Sequence, residues 1–212
     1  MGILHYTNEH TGLLAQRDEK LGAFISQIGF IERRISDDFF GGLCYNIVNQ
    51  QLSMKACDTL WAKLIGKLGA ISPESCVDTC MLKDCGLSQS KASCIAECAR
   101  RFISAEISSE ILSCMSDEEI CARLMQIKGI GRWTAEMTLI FCLGRMDVLS
   151  LSDFGIRKGL SLLHGIPTND IKAMQKYKTL YSPCGTVASV YLWEAARVLD
   201  GKKENNDAKK DS

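Results

Sequence analysis

The stretch "LMQIKGIGRWTAEMT", residues 124–138, places two glycines between apolar segments whose spacing is otherwise helical. A glycine inside a helix costs about 1 kcal/mol relative to alanine, so Gly129 and Gly131 indicate a turn rather than a helix interior. Just upstream, "SDEE" is typical of a capping box in which Ser116 caps the first helix. The sequence therefore predicts a helix, a glycine turn and a second helix within about 117–143.

Such a turn has the properties of an anion site. Glycines permit backbone angles, and a close approach of a ligand, that side chains would block. The N–H groups at the start of the second helix, beside the positive end of its dipole, would then face solvent. Ile130, between the two glycines, is expected to point inward and fix the turn. A plain corner between two helices remains the alternative at this point, because a GxG sequence alone is common.

Composition and charge exclude some classes of protein and leave others open. The chain has 212 residues, of which 46% are hydrophobic, which is enough for one domain or two small lobes. Lysines and arginines number 25 and acidic residues 25, so the net charge is zero. This balance does not indicate a nucleic-acid partner, but a local basic face would suffice to bind one. No apolar run approaches the roughly 20 residues of a membrane span, so no membrane partner is expected.

The cysteines indicate a reducing compartment rather than a metal site. There are 11 of them, an odd number, and no signal-peptide pattern is present. We therefore expect reduced thiols in an intracellular protein, cytoplasmic in a bacterium or nuclear in a eukaryote. Zinc sites with four thiolates usually contain CxxC pairs, which this sequence lacks. The three histidines have no spacing typical of ligation or catalysis, and no catalytic metal is expected.

Apolar residues recur at spacings of three and four along the chain, whereas no convincing period-two pattern of a β-strand appears. The predicted fold class is all-α. The predicted helices span about 11–28, 36–49, 53–68, 73–81, 88–104, 117–127, 132–143, 153–163, 169–179 and 183–199. The C-terminal "GKKENNDAKKDS" has almost no apolar content, and residues 204–212 are expected to be disordered.

A carboxylate lies beyond the predicted hairpin. Asp153, in "GRMDVLSLSDFGIRKGL", follows the glycine turn by about twenty residues. It precedes a predicted helix, and a carboxylate at a helix N-terminus is stabilised as the anion by the dipole and the N–H groups. On spacing alone, a helix cap is the simpler explanation, because caps of this kind are common. The residues by themselves leave a cap and a catalytic role open.

Four motifs in order give this sequence a resemblance to a known family. They are "YNIVNQQLSMKA", "GIGRWTAEM", "DVLSLSDFGIRKG" and "YSPCGTVASVYLW". Together, over most of residues 30–200, they resemble the helix-hairpin-helix DNA glycosylase superfamily, and within it the 3-methyladenine DNA glycosylase II branch. The resemblance implies two lobes with the active site in the cleft between them. A barrel-like lobe over 36–145 would end in the hairpin, and residues 1–35 with 146–203 would form the second lobe.

The resemblance also implies roles for individual residues. Asp153 would be catalytic, and Trp133, Trp193 and Met137 would line a pocket for a flipped base. Gln51 corresponds to the wedge that fills the gap in the duplex. Contacts to the DNA backbone are implied for a further set: Gly129, Gly131, Arg132, Thr134, Lys55 and Lys158. The alternatives are core packing for the tryptophans, a polar helix end for Gln51 and a solvated surface for the charged residues.

The resemblance also has implications for lyase activity and for cofactors. Members of the superfamily that cut the DNA backbone use a lysine at the position that Trp133 occupies here, so the resemblance implies attack by water and a monofunctional hydrolase. Relatives with a C-terminal iron–sulfur cluster need four cysteines, but Cys184 is the only cysteine after Cys142. No cofactor is expected, apart from a non-catalytic sodium or potassium ion. Family hairpins can bind such an ion on backbone carbonyls, here those of Lys128 and Ile130.

The chain departs from the family pattern at a few positions near these motifs. Ser150 stands where proline is usual, and Ser152 where an acid is frequent. Gly185-Thr186 stands where Arg-Ser is common. None of these differences removes Asp153.

The predicted function is that of a monomeric DNA glycosylase that flips alkylated purines out of damaged double-stranded DNA and hydrolyses their N-glycosidic bond. An alkylated purine is already positively charged and leaves readily, so no second acid is required, and Glu136 is expected to pair with Arg132. Three alternatives stay open: a glycosylase for an oxidised, deaminated or mismatched base, a DNA-binding protein without catalysis, and a helical scaffold. Base release separates the glycosylases from the binding protein, and salt-dependent DNA binding excludes the scaffold.

Overall fold

The computed structural model describes residues 2–207, with side chains up to residue 201, and it is mostly helical. The predicted all-α class is confirmed. Two strands of two residues each, β1 (Gly2–Ile3) and β2 (Arg34–Ile35), form a small sheet. The sequence did not predict them, because so short a pair has no readable period. No helix among the described residues is long and apolar enough to span a membrane.

The helices of the described residues are numbered in chain order, and a single 3₁₀ turn lies at Glu74–Cys76. Their bounds are α1 (Asn8–Arg17), α2 (Glu19–Ile28), α3 (Phe39–Asn49), α4 (Met54–Leu68), α5 (Thr79–Asp84), α6 (Gln89–Ile103), α7 (Ser109–Ser113), α8 (Asp117–Leu124), α9 (Arg132–Leu143), α10 (Phe154–His164), α11 (Ile171–Met174), α12 (Lys176–Tyr181) and α13 (Gly185–Asp207).

The prediction of one continuous helix over 11–28 was wrong, because two helices occupy this stretch. Asp18 lies between them, and its N–H donates to the Leu14 carbonyl at the end of α1. Its Oδ1 accepts the N–H groups of Lys20 and Leu21 at the start of α2, each at 3.1 Å. The apolar spacing continues across Asp18 without interruption, so periodicity alone does not indicate the break between α1 and α2. Only the capping role of the Asp18 side chain indicates it.

The C-terminal helix is longer than the sequence predicted. α13 continues to Asp207, so residues 204–207, which we expected to be disordered, belong to a helix. Residues 208–212, the rest of the predicted tail, lie outside the described part of the chain.

The chain divides into two compact units, Met1–Gly2 with Arg34–Gly144 and Ile3–Arg33 with Arg145–Ser212. In the first unit, α3 packs against α4, α6 and α9, and α8 packs against α9. Its core consists of buried apolar side chains, among them Leu43, Ile47, Ile95, Leu124 and Ile140. Because α8 and α9 both take part in this packing, the segment between them is fixed at both ends.

In the second unit, α13 packs against α10 and α2, and α1 packs against α2. A polar cluster lies inside it. Nε2 of His164, the last residue of α10, lies 3.1 Å from Asp18 Oδ2, and the Tyr181 hydroxyl donates to the same oxygen at 2.5 Å. Burial lowers the pKa of His164, although the Asp18 carboxylate acts in the opposite direction. Nε2 is placed to donate a hydrogen bond to Asp18 Oδ2.

Candidate active site

The predicted hairpin is present in the first unit. α8 begins with the predicted capping box, in which the Ser116 N–H donates to Glu119 Oε2 at 2.8 Å and the Glu119 N–H donates to the Ser116 hydroxyl at 3.4 Å. After α8 ends at Leu124, a turn leads to the start of α9 at Arg132. Ile130, within the turn, is buried as predicted, with 5% of its surface exposed.

The two glycines of the turn serve different purposes. Gly129 has a φ of +103°, a region that favours glycine, and a Cβ there would lie 3.0 Å from both Cβ and Sγ of Cys94. Gly131 has a φ of −98°, which any residue can adopt. A Cβ at Gly131 would meet no atom within 4 Å. The fold therefore requires Gly129, whereas the space beside Gly131 is open to a ligand.

The start of α9 has no capping side chain. Gly131 is its N-cap residue and cannot accept an N–H through a side chain. The dipole and the first N–H groups therefore favour an anion at this end. The carbonyls of Lys128 and Ile130 accept no hydrogen bond within the described part of the chain, so they can serve a monovalent cation. No group of three or more His, Cys, Asp or Glu residues that could hold a metal ion occurs among the described residues.

Arg132, a predicted phosphate contact, already binds two carboxylates. Its Nε donates to Glu136 Oε1 at 2.7 Å, the predicted pair, while Nη1 and Nη2 donate to the two oxygens of Glu118 at 2.6 and 2.5 Å. These hydrogen bonds, above all those to Glu118, raise the pKa of the guanidinium. Arg132 thus connects α8 to α9, and a phosphate at this residue would have to share or replace these carboxylates.

The other predicted backbone contacts differ in accessibility. Thr134 is 2% exposed and its hydroxyl accepts Gln50 Nε2 at 2.8 Å, so its side chain cannot reach a phosphate. Lys158, in the second unit, forms an ion pair with Asp200 at 2.9 Å. Lys55, in the first turn of α4, is exposed. Among the candidate side chains, Lys55 keeps the accessibility that a phosphate contact needs.

Gln51, the predicted wedge, lies in the loop between α3 and α4. It is exposed, and its φ of +56° is unusual for a residue other than glycine. Residues held in such sparsely populated conformations cluster at functional sites. The position and the backbone of Gln51 are compatible with a side chain that projects from the surface of the first unit.

In the second unit, the structure brings Asp153 and Trp193 together. Asp153 is the N-cap of α10, and its Oδ1 accepts the Ile156 N–H at 2.9 Å. The same oxygen accepts the indole N–H of Trp193, on α13, at 2.9 Å. The interpretation as a cap is therefore correct, but a cap does not need an indole donor. Two N–H groups from two different helices fix the orientation of this carboxylate.

Close packing of α10 on α13 makes that contact possible. A Cβ at Gly155 would lie 2.8 Å from Trp193 Cδ1 and 3.1 Å from Asp153 Oδ1. A Cβ at Gly159, one helical turn later, would lie 2.2 Å from the Leu192 carbonyl oxygen. Residues four apart share one face of a helix. The glycines of "FGIRKG" were the available sequence signal for this packing, and they were not recognised.

The loop before Asp153 depends on Arg157, which was also not recognised from the sequence. Its Nη1 donates to the Leu151 carbonyl at 2.8 Å and its Nε to the Thr168 carbonyl at 3.0 Å. The Asp153 N–H donates to the Ser150 carbonyl at 3.1 Å, and the hydroxyls of Ser150 and Ser152 lie 2.9 Å apart. The two serines that depart from the family pattern therefore belong to the support of this loop.

The departure at residues 185 and 186 has a structural explanation as well. The Gly185 N–H donates to Asp147 Oδ1 at 3.2 Å. A Cβ at Gly185 would lie 3.0 Å from that oxygen and 3.1 Å from the Val148 nitrogen. The Thr186 hydroxyl donates to the Arg145 carbonyl at 2.6 Å and accepts the Val148 N–H at 3.1 Å. These two residues thus attach the start of α13 to the segment that precedes the Asp153 loop.

The three predicted pocket residues lie in different parts of the fold. Trp133 and Met137 belong to α9 in the first unit, and Trp193 belongs to α13 in the second. Trp133 is half-buried, but Met137 is only 3% exposed and has almost no surface for a base. The guanidinium carbon of Arg33 lies 5.3 Å from the centroid of the Trp193 ring, so this indole already contacts a cation.

Known proteins resemble this chain in sequence. The family description "HhH-GPD superfamily base excision DNA repair protein" matches residues 44–183. The protein named DNA-3-methyladenine glycosylase 1 of Schizosaccharomyces pombe is 37% identical over 164 residues, which cover 74% of this chain and 72% of that protein.

Solved structures share the fold. The 3-methyladenine DNA glycosylase of Schizosaccharomyces pombe, in complex with abasic DNA, matches with a TM-score of 0.82 at 30% identity, over 91% of this chain and 98% of that one. A DNA-3-methyladenine glycosidase from Bacillus halodurans matches with a TM-score of 0.81 at 30% identity, over 95% of each chain. The chain therefore belongs to the HhH-GPD superfamily of base excision DNA repair proteins.

Proposed function

We propose that the protein is a monofunctional DNA glycosylase that removes alkylated purines of the 3-methyladenine type from double-stranded DNA and so starts base excision repair. The observation that carries this proposal is the Asp153 carboxylate at the start of α10. Its Oδ1 accepts the N–H groups of Ile156 and Trp193, each at 2.9 Å. The names of the similar proteins from yeast and Bacillus support the substrate class.

The reaction breaks the bond between the sugar C1′ and the base nitrogen. As this bond breaks, its electron pair leaves with the base, and the sugar becomes an oxocarbenium-like cation. A carboxylate that is already fixed in place stabilises the developing positive charge without reorganisation. Water then bonds to C1′ and gives a proton to the solvent, which leaves an abasic site in an intact strand. We assign Asp153 both the stabilisation of the cation and the orientation of the water.

Recognition of the base would rest on charge. The target cannot be reached inside a duplex and must be flipped out. The indole of Trp193, which donates to Asp153, would then stack on it, and the electron-rich face of an indole attracts a cationic base more than a neutral one. Because the Arg33 guanidinium already lies 5.3 Å from the Trp193 centroid, a cationic base would use the other face of the ring or displace Arg33. Alkylated purines are positively charged and normal bases are not, so such a pocket prefers the damaged base.

The hairpin would bind the DNA backbone. A phosphate can approach the start of α9 beside Gly131, where a Cβ would meet no atom within 4 Å. Because Arg132 and Lys158 bind carboxylates, backbone N–H groups and the exposed Lys55 would make most of this contact. A sodium or potassium ion on the hairpin carbonyls would add positive charge beside the phosphate. Gln51 would enter the minor groove and fill the place of the flipped base.

The proposed enzyme does not cut the DNA backbone. Schiff-base formation needs an amine, and an indole stands at the position where the related lyases have theirs, Trp133. Water is then the nucleophile, and the DNA strand stays intact after the base has left. A monomer suffices, because one chain carries both the hairpin and the Asp153 site.

The test is base release from methylated duplex DNA by the purified protein. We expect free 3-methyladenine, abasic sites that break only after heat or alkali, and no covalent adduct with DNA in the presence of borohydride. Strand cleavage before alkali would contradict the monofunctional assignment. Release of only oxidised, deaminated or mismatched bases would change the substrate class. Salt-dependent binding without any release would identify a DNA-binding protein without catalysis.

A further inference from the structure

Lys91, on α6, has a position that the proposed reaction does not explain. α3 ends at Asn49, and the last carbonyls of a helix need donors from outside it. The Lys91 Nζ donates to the carbonyls of Val48 and Gln50, at 2.8 Å each. A cation at this end also interacts favourably with the helix dipole. Lys91 therefore fixes the end of α3, directly before the residue that we assign as the wedge.

The side chain of Gln50 fixes the same place from another direction. Its Nε2 donates to the Gly129 carbonyl at 3.0 Å and to the Thr134 hydroxyl at 2.8 Å. A primary amide nitrogen has two N–H groups, and here both have acceptors in the hairpin, one in the turn and one in α9. Gln50 thus connects the loop between α3 and α4 to the segment that would hold the phosphate, and all these residues belong to the first unit.

Gln51 lies between this attachment and the next helix. Its φ of +56° places it in the left-handed region, which residues with a side chain rarely adopt. The conformation persists because both neighbours are fixed. On the N-terminal side of Gln51, Gln50 is held by its contacts with the hairpin. On the C-terminal side, the Ser53 hydroxyl caps α4 by accepting the Ala56 N–H at 3.3 Å.

We propose that Gln50 and Lys91 are positioning residues that lock the wedge loop, residues 50–53, to the hairpin. Insertion of Gln51 into the minor groove and binding of the DNA backbone then occur as one rigid event. This inference rests on the proposed function and on Gln51 as the wedge. Loss of the Gln50 and Lys91 contacts should weaken binding to an abasic duplex more than binding to an intact duplex. Only the abasic duplex has a gap that Gln51 fills.

The experiment compares a duplex that carries a tetrahydrofuran abasic analogue with an intact duplex of the same sequence. For Gln50→Ala and Lys91→Met, the preference for abasic over intact duplex should fall about threefold to tenfold, the range expected for one or two hydrogen bonds. Fluorescence of 2-aminopurine opposite the analogue should report reduced insertion. Lys91→Arg, which keeps a positively charged donor, should retain the wild-type preference for the abasic duplex. Gln89→Ala is the matched control, because Gln89 is exposed on α6 and its side chain donates only to Ser93, at 2.9 Å.

A double-mutant cycle separates positioning from general stability. If Gln50 acts through Gln51, then Gln50→Ala should cause no further loss of preference in a Gln51→Ala background. Additive losses, or equal losses on abasic and intact DNA, would overturn the inference. Thermal unfolding is measured for every variant, and Gln50→Met, which keeps the length of the side chain without donors or charge, replaces Gln50→Ala if the latter does not fold. A wild type that prefers abasic DNA but releases no base would contradict the proposed function and leave this inference intact.

Discussion

Two helices in this molecule, α9 and α10, satisfy the partial positive charge at their N-termini in opposite ways. α9, in the first unit, begins at Gly131 without a capping side chain, whereas α10, in the second unit, begins at Asp153, whose carboxylate accepts the Ile156 N–H. The first leaves the positive end of a helix to an external anion, which a DNA phosphate would provide. The second satisfies that end with a carboxylate, which then supplies negative charge to a sugar cation. The residue at the cap position therefore decides which charge a helix start binds.

The two regions also differ in what supports them. The hairpin is held by polar contacts: Arg132 binds Glu118 and Glu136, and Gln50 binds the Gly129 carbonyl. The Asp153 site is instead supported by the close approach of α13 to α10 at two glycines. We expect the hairpin at Gly131, where a Cβ meets no atom within 4 Å, to tolerate an added side chain better than the contact of α10 with α13 at Gly159 does.

The largest effect is expected for Gly159→Ala. The added Cβ would lie 2.2 Å from the Leu192 carbonyl oxygen, a backbone atom that cannot move without the helix. Overpacking of this kind costs up to about 3 kcal/mol, and each kcal/mol lowers Tm by about 2–4 °C in a chain of this size. Gly12→Ala, within α1, is the matched control, because a Cβ there meets no atom within 4 Å. It should raise Tm, and equal Tm changes for both variants would refute the packing account.

The second-largest effect, a loss of affinity for duplex DNA, is expected for Gly131→Asp. The space beside Gly131 is open and its backbone already has the geometry of a cap, so the new carboxylate would cap α9 as Asp153 caps α10. Helix stability should rise by about 1 kcal/mol. The affinity for duplex DNA should fall about thirtyfold, equivalent to about 2 kcal/mol, because the carboxylate occupies and repels the phosphate.

Gly131→Asn distinguishes charge from occupancy, since its amide caps the helix without a negative charge. Both variants are measured by thermal unfolding and by binding to intact duplex at one salt concentration. We expect Gly131→Asn to lose less affinity than Gly131→Asp. Wild-type affinity for Gly131→Asp would mean that the start of α9 does not bind phosphate.

A smaller effect is expected for Trp193→Phe. The variant keeps an aromatic ring but removes the N–H that donates to Asp153 Oδ1 at 2.9 Å. Loss of one hydrogen bond to a charged group costs about 1.5 kcal/mol, so base release under single-turnover conditions should slow about tenfold. Trp61→Phe serves as the control, because Trp61 packs against Tyr45 at 5.3 Å between ring centroids, in the other unit. A rate for Trp193→Phe equal to that of this control would remove Trp193 from the positioning of the carboxylate.

The smallest effect is expected from pH, and it is confined to the second unit. Burial lowers the pKa of His164, so the unfolded chain takes up this proton at a higher pH than the folded chain. The stability that depends on neutral His164 is therefore present above the ordinary histidine pKa of about 6.5 and is lost as the pH falls below it. His164→Gln retains a donor for Asp18 but does not titrate. Its unfolding free energy should depend less on pH between 7.5 and 5 than that of the wild type, and identical pH profiles would contradict this.

The sequence predicted those features that are local along the chain. The capping box at Ser116, the two-glycine turn and the start of α9 follow from residues that lie within one or two helical turns of one another. The pairing of Arg132 with Glu136, four residues away, was predicted for the same reason. The assignment to a glycosylase family depended on resemblance, because a lone aspartate before a helix is equally well explained as a cap.

Contacts between residues distant in sequence were not predictable from periodicity. Glu118, 14 residues away, binds the Arg132 guanidinium, for which the resemblance implied a phosphate contact. The donors to Asp153 and Gly129 come from residues 40 and 79 positions away. At Asp18, continuous apolar spacing concealed a break that a single capping side chain imposes. Arg132, Asp153 and Gly129 thus have partners that only the folded packing brings near, whereas the Asp18 cap is local and was hidden by the apolar spacing.

The measurement that tests the central claim most directly is single-turnover base release from methylated duplex DNA by Asp153→Asn, with DNA affinity measured in parallel. Asparagine can still accept the N–H groups of Ile156 and Trp193, so the cap and the fold should be kept while the negative charge is lost. The account predicts base release at least about a hundredfold slower than that of the wild type, with unchanged affinity for DNA. Base release at the wild-type rate would show that Asp153 is only a helix cap and that the chemistry lies elsewhere.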